Sequence, residues 1–142
     1  MNLRVTHGMN ASNTYFETQT QTANPGELVV MLYKGAARFL ASAIEAVDTK
    51  NLEASHNNLL RAQAVITELT ETLDLKKGGE LAKNLGRIYE YMNYRLVDAN
   101  LRKDAEPARE VERLLRELLP AWEQAARQTG NAPARKLVSA SA

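Results

Sequence analysis

The chain has 142 residues, 44% of them hydrophobic and 25% charged, and it contains no cysteine. This is the composition of one globular domain with enough chain for a buried core, and it excludes disulfides and thiolate metal sites. The 18 Lys and Arg against 17 Asp and Glu leave a formal charge of +1, without the basic surplus on one face that a nucleic-acid binder shows.

No apolar run approaches the roughly 18–20 residues that span a bilayer, so membrane insertion is not expected. No apolar signal-peptide core opens the chain, and the expected location is cytoplasmic. Residues 1–23 are rich in Thr, Asn and Gln, with Arg4 and Glu17 as their charges and no sustained helical period. They read as a mobile N-terminal arm with Leu3, Val5, Met9, Tyr15 and Phe16 as anchors. A helical bundle is expected over residues 24–128 and a disordered tail over 129–142.

Asn24-Pro25-Gly26-Glu27 is a helix start, with an Asn cap, Pro in the first turn and an acid three residues on. Helix one runs to about Asp48, with Leu28, Leu32, Ala36, Phe39 and Ala43 as its core face. Tyr33, Leu40, Ile44 and Val47 widen that face beyond what one neighbour covers. Asn51 caps a second helix whose apolar positions Leu52, Leu59, Ala62, Ile66, Leu69 and Leu73, with Ser55, step by three and four, close to a heptad seam. Leu60 and Ala64 are a smaller excess on this helix.

A connection at residues 74–78 precedes helix three, which a glycine pair opens and which reaches about Arg102. Leu81, Leu85, Ile88, Met92, Leu96 and Ala99 fall on one stripe of it. Tyr94, Val97 and Leu101 fall on a second stripe on roughly the opposite side. One stripe is enough to pack a helix in a small bundle, so the second asks for another partner. Asp104 and Pro107 mark the start of helix four, with a core stripe of Ala108, Val111, Leu115, Leu118 and Trp122. Pro120 lacks the backbone N–H for the Arg116 carbonyl, so a kink, or a short fifth helix after it, is expected there. Short connections make consecutive helices antiparallel. The fold class is all-α, an antiparallel four-helix bundle.

Catalytic constellations are not found. Glu53-x-x-His56 matches half of a di-iron carboxylate motif, but such a site needs two copies and two further glutamates facing inward. The other histidine is His7, in the arm. Gly78-Gly79 lacks the Gly-x-x-x-x-Gly-Lys run after a strand that a phosphate loop needs. The chain is therefore read as a non-enzyme with no cofactor, no catalytic residues and no metal. Tyr89 is assigned to packing, and the tail pair Arg135-Lys136 is read as a solubility feature. Surplus apolar surface without an active site describes a module that takes an amphipathic helix in a groove.

Two motifs carry a family resemblance. One is Gly78-Gly79-Glu80 followed by Ala82-x-Asn84-Leu85-x-x-Ile88-Tyr89-x-Tyr91-Met92-x-x-Arg95-Leu96-x-x-Ala99-Asn100. The other is Asn24-Pro25-Gly26-Glu27-Leu28 leading to Met31-Leu32-Tyr33-x-Gly35-Ala36-x-x-Phe39-Leu40. In this order and spacing the chain resembles FliS-type flagellar secretion chaperones from Tyr15 to about Ala126. It departs from that pattern at Lys34, where an acidic residue is common, and at Pro120. The resemblance implies a cytoplasmic export chaperone that binds the disordered C-terminal segment of flagellin, prevents premature polymerisation and keeps the subunit ready for secretion.

It also leaves room for other flagellar regulators as partners, and a monomer or weak dimer is expected. The partner-binding residues are then Tyr15, Tyr33, Leu40, Leu60, Ala64, Tyr94, Val97 and Leu101. Tyr15 matches the tyrosine that precedes the first helix in the family, and the arm is expected to fold back over part of the groove. The alternative is a homo-oligomeric helical module whose second stripe is a subunit interface.

Overall fold

A computed structural model describes residues 24–129 of the chain. They form four helices: α1 over Pro25–Asp48, α2 over Leu52–Glu71, α3 over Leu75–Arg102 and α4 over Glu106–Thr129. There is no strand among the described residues. The expected arm, and the tail beyond Thr129, lie outside them.

Local chemistry explains where the helices start. Asn24 Oδ1 accepts the Glu27 N–H at 2.8 Å while Glu27 Oε1 accepts the Asn24 N–H at 3.2 Å, so two donors left orphaned by the first turn are satisfied reciprocally. Asn51 Oδ1 accepts the Ala54 N–H at the head of α2. Asp74 Oδ1 accepts from both Lys76 and Lys77 N–H at the head of α3. The glycine pair does open the long part of α3, but one separate helical turn precedes it. Asp74 starts one helical turn and Gly79, at φ 57° and ψ −138°, breaks it before the long helix resumes. A side chain at Gly79 would be strained in that conformation.

Connections of a few residues reverse the chain each time, and side-chain pairs fix the antiparallel registers. Along α1 and α4, Lys34 pairs with Glu123 and Asp48 with Arg109. Along α2 and α3, Thr67 bonds Asn93 and His56 bonds Asn100. The main packing runs α1 on α2, α2 on α3, α3 on α4 and α4 on α1.

The core is a column of Leu32, Leu40, Leu59, Ile66, Leu69, Met92, Leu96 and Leu115, all buried. Each such side chain contributes roughly 1.5–3 kcal/mol of transfer free energy. Across the middle, Tyr33 on α1 meets Tyr89 on α3 with 2.7 Å between the hydroxyl oxygens, and Trp122 Nε1 on α4 donates to the Tyr33 hydroxyl at 3.1 Å. The Tyr33 and Tyr89 rings pack edge to face, with centroids 6.3 Å apart. These bonds let two buried phenols and an indole enter an apolar core without the desolvation penalty of unpaired groups.

Three expectations are corrected here. Tyr33 and Leu40, read as surplus surface, are buried, because α1 packs against two neighbours and Tyr33 reaches a third helix. The α1 core line is accordingly Val29, Leu32, Tyr33, Ala36, Leu40 and Ala43, with Leu28 and Phe39 at its edge. No fifth helix follows Pro120; α4 continues through it to Thr129. The Lys34–Glu123 pair and the Trp122–Tyr33 bond fasten the turns beyond Pro120 to α1.

Candidate partner-binding faces

The register of α2 against α3 decides what lies along their outer seam. With His56 beside Asn100 and Thr67 beside Asn93, Leu60 falls opposite Val97. Leu60 is 48% exposed, Val97 43%, Tyr94 69% and Leu101 77%. Ala64, one turn on from Leu60, is half-buried.

Tyr94, Val97 and Leu101 stand three and four residues apart, so they line one exposed face of α3, with Val97 on its α2 side. The row is bounded by the amide and imidazole of the two cross-helix bonds. Asn93 Oδ1, at the same seam, is buried without a hydrogen-bond partner among the described residues, and a buried acceptor in that state favours an incoming N–H. This face can take an apolar, amphipathic segment and offer it polar contacts at its edge.

Of the sequence-derived site residues, Leu60 and Val97 face one another in this register, Ala64 is one turn from Leu60, and Tyr94 and Leu101 stand on the neighbouring outer face of α3. Tyr33 and Leu40 are removed from this surface by burial. Tyr15 lies outside the described residues.

A second concavity, about 330 Å³ in volume, lies on the other flank of α3, where α4 packs. Its floor is Ile88 and Tyr91 from α3 with Leu114 and Leu118 from α4. Tyr91 donates its hydroxyl to Glu110 Oε2 at 2.7 Å, and Arg95 Nε donates to Glu110 Oε1 at 2.6 Å. The Tyr91 and Arg95 bonds hold the Glu110 carboxyl below the usual carboxylate range, and the same contact raises the Tyr91 phenol above its own. Arg95 also binds Asp98, which in turn holds Arg102. This chain of polar contacts pins one end of the groove.

The sequence reading assigned Ile88 and Leu118 to core stripes and left Tyr91 without a role. The available signal was the pairing of an apolar flank on α3 with Leu114 and Leu118 four residues apart on α4. His56 is exposed and engaged with Asn100. Among the described residues no three His, Asp or Glu side chains converge to hold a metal, and no helix is long and apolar enough to cross a membrane.

A family model described as flagellar protein FliS matches residues 8–129 of the chain. Among curated relatives, the chain is 38% identical to the flagellar secretion chaperone FliS of Bacillus subtilis over 116 residues, covering 82% of this chain and 86% of the relative. It is 39% identical over 109 residues to FliS of Salmonella typhimurium, covering 76% and 81%. It is also 39% identical over 107 residues to the flagellar secretion chaperone FliSB of Pseudomonas aeruginosa, covering 75% and 85%.

Proposed function

The chain belongs to the FliS family of flagellar secretion chaperones, and from that premise we propose that it binds the disordered C-terminal segment of flagellin in the cytoplasm. The observation that carries this reading is the exposed apolar row Leu60, Tyr94, Val97 and Leu101 along the α2 side and outer face of α3. An amphipathic helix laid along that seam would exchange water on both surfaces for apolar contact. The chaperone would thereby cover flagellin surface that otherwise packs against neighbouring subunits, and hold the subunit unpolymerised for export. Ordering a disordered segment costs roughly 2–5 kcal/mol, which favours a long interface over a single pocket.

Calorimetry with the isolated flagellin C-terminal segment tests this reading. Val97→Glu or Leu101→Glu puts a charge in the covered row and should cost about 2 kcal/mol, roughly a thirtyfold loss of affinity. Both variants should keep the wild-type helical signal, because neither side chain is buried in the free protein. Leu85→Glu, by contrast, charges a buried position and should cost folding itself. Wild-type affinity in both surface variants would overturn the assignment of the seam. Mass measurement across concentrations separates this reading from the homo-oligomeric one, which requires the same two variants to dissociate a dimer. In the proposed reading the arm competes for the seam through Tyr15, so Tyr15→Ala should tighten flagellin binding; weaker binding would place Tyr15 in the flagellin interface.

A further inference from the structure

The groove between α3 and α4 is lined by none of the residues of the proposed flagellin seam, which runs along the α2 side and outer face of α3. Its floor of Ile88, Tyr91, Leu114 and Leu118 is apolar. At its rim Glu117 is exposed and makes no ion pair among the described residues. Arg87, also on the rim, is turned along its own helix, with Nη1 donating to Asn84 Oδ1 at 3.0 Å. The groove thus offers an apolar slot beside an unpaired carboxylate. The matching chemistry is a short segment with a cation two residues from a branched aliphatic side chain, since alternate residues of an extended chain share a face.

Such a segment follows α4 in this chain: Gly130-Asn131-Ala132-Pro133-Ala134-Arg135-Lys136-Leu137-Val138. We propose that residues 131–138 turn back along α4 and dock in the α3/α4 groove, with Leu137 on its floor and Arg135 against Glu117. The lengths agree. An extended chain advances about 3.3 Å per residue and a helix about 1.5 Å, so six residues of returning chain cover about thirteen residues of α4. Counted from a turn at Gly130, Leu137 comes level with the Leu114–Leu118 turn, and Arg135 passes about one helical turn earlier, level with about residue 120, from where its long side chain reaches on to Glu117. Gly130 can take the left-handed backbone that a reversal after a helix commonly needs. Pro133 keeps the returning strand from continuing the helix. The family match ends at residue 129, just before the docking segment.

The absence of cysteine allows a clean test on the full chain. A nitroxide attached through Ser139→Cys, two residues past Leu137, should abolish amide NMR signals around Ile88–Tyr91 and Leu114–Leu118. Leu137→Asp should restore those signals. Glu117→Lys should restore them in part, and Glu117→Lys combined with Arg135→Glu should remove them again. Broadening confined to the last turn of α4, or appearing instead around Leu60 and Val97, would overturn the proposal. A mixture of spin-labelled unenriched chains with unlabelled isotope-enriched ones should leave the groove signals intact. Their loss in that mixture would show that the tail of another chain fills the groove, and would equally overturn it. None of these readouts uses flagellin, so they stand or fall apart from the seam.

Discussion

Gly86 has no conformational reason to be glycine. It lies inside α3, and a Cβ built on it would meet Leu73 Cδ1 at 3.7 Å, an ordinary van der Waals contact. Gly86→Ala should therefore stabilise the fold by about 0.5–1 kcal/mol, by lowering the entropy of the unfolded chain. A rise in the urea midpoint with unchanged slope is the expected outcome. Gly79 is the contrasting case, since its φ of 57° already lies where a Cβ is strained.

Single residues also show what periodicity could and could not reveal. Tyr94, Val97 and Leu101 were legible as a surface row because they lie across α3 from Leu85, Met92 and Leu96, and the helical period alone separates the two sides. Tyr33 and Leu40 were misread because a stripe's width does not tell how many helices cover it. The Tyr33–Tyr89 contact spans 56 residues of sequence, a separation no local pattern encodes. Tyr91 was opaque for the same reason: its meaning comes from Glu110 on the next helix.

At the scale of an element, α4 departs furthest from its expectation. Pro120 was expected to end or kink it, because the ring removes one donor and crowds the preceding turn. The helix does not end there but runs on to Thr129, and ties to α1 hold the turns beyond the proline: Trp122 donating to Tyr33, and Glu123 facing Lys34 at 3.6 Å. The ion pair is half exposed and contributes little alone, so the indole anchor is the stronger tie.

Pro120→Ala supplies the missing N–H for the Arg116 carbonyl and should stabilise the helix by up to about 3 kcal/mol. The measurement is a thermal melt together with slower amide exchange over residues 121–126. The helix starts at Asn24 and Asn51 were readable because their caps are local chemistry, each complete within four residues. At Asp74 the cap came one turn earlier than the glycine pair suggested. Glycine marks a break in helical backbone, and a short helical turn can precede it.

For the whole molecule, the buried phenols make stability depend on alkaline pH. Burial pushes the Tyr33 hydroxyl up to about 12 against its ordinary value of 10.0, and its bonds with Tyr89 and Trp122 offset part of that rise. Burial and the neighbouring Tyr33 push the Tyr89 hydroxyl up as well. The unfolded chain thus releases these protons first. The stabilisation is fully present below about pH 10 and falls as pH rises toward and through about 12. Denaturant midpoints should be flat up to about pH 10 and then drop.

Tyr33→Phe should cost about 1–3 kcal/mol at neutral pH, because the Trp122 N–H and the Tyr89 hydroxyl lose their shared partner in the interior. It should also reduce the alkaline drop, leaving Tyr89 as the titrating phenol.

The position of Trp122 has an optical consequence. It is the one tryptophan of the chain, two residues beyond Pro120, with its ring centroid 6.3 Å from that of Tyr33. Its emission therefore reports on the α1/α4 contact, with no label added. Excitation of the tyrosines should reach the indole by energy transfer across the same gap. Under mild denaturant, emission should shift red and transfer should fall before the far-ultraviolet helical signal declines, because the turns beyond the proline lack one backbone bond and can open first. Coincident transitions would instead mean that the last turns of α4 open only with the rest of the bundle.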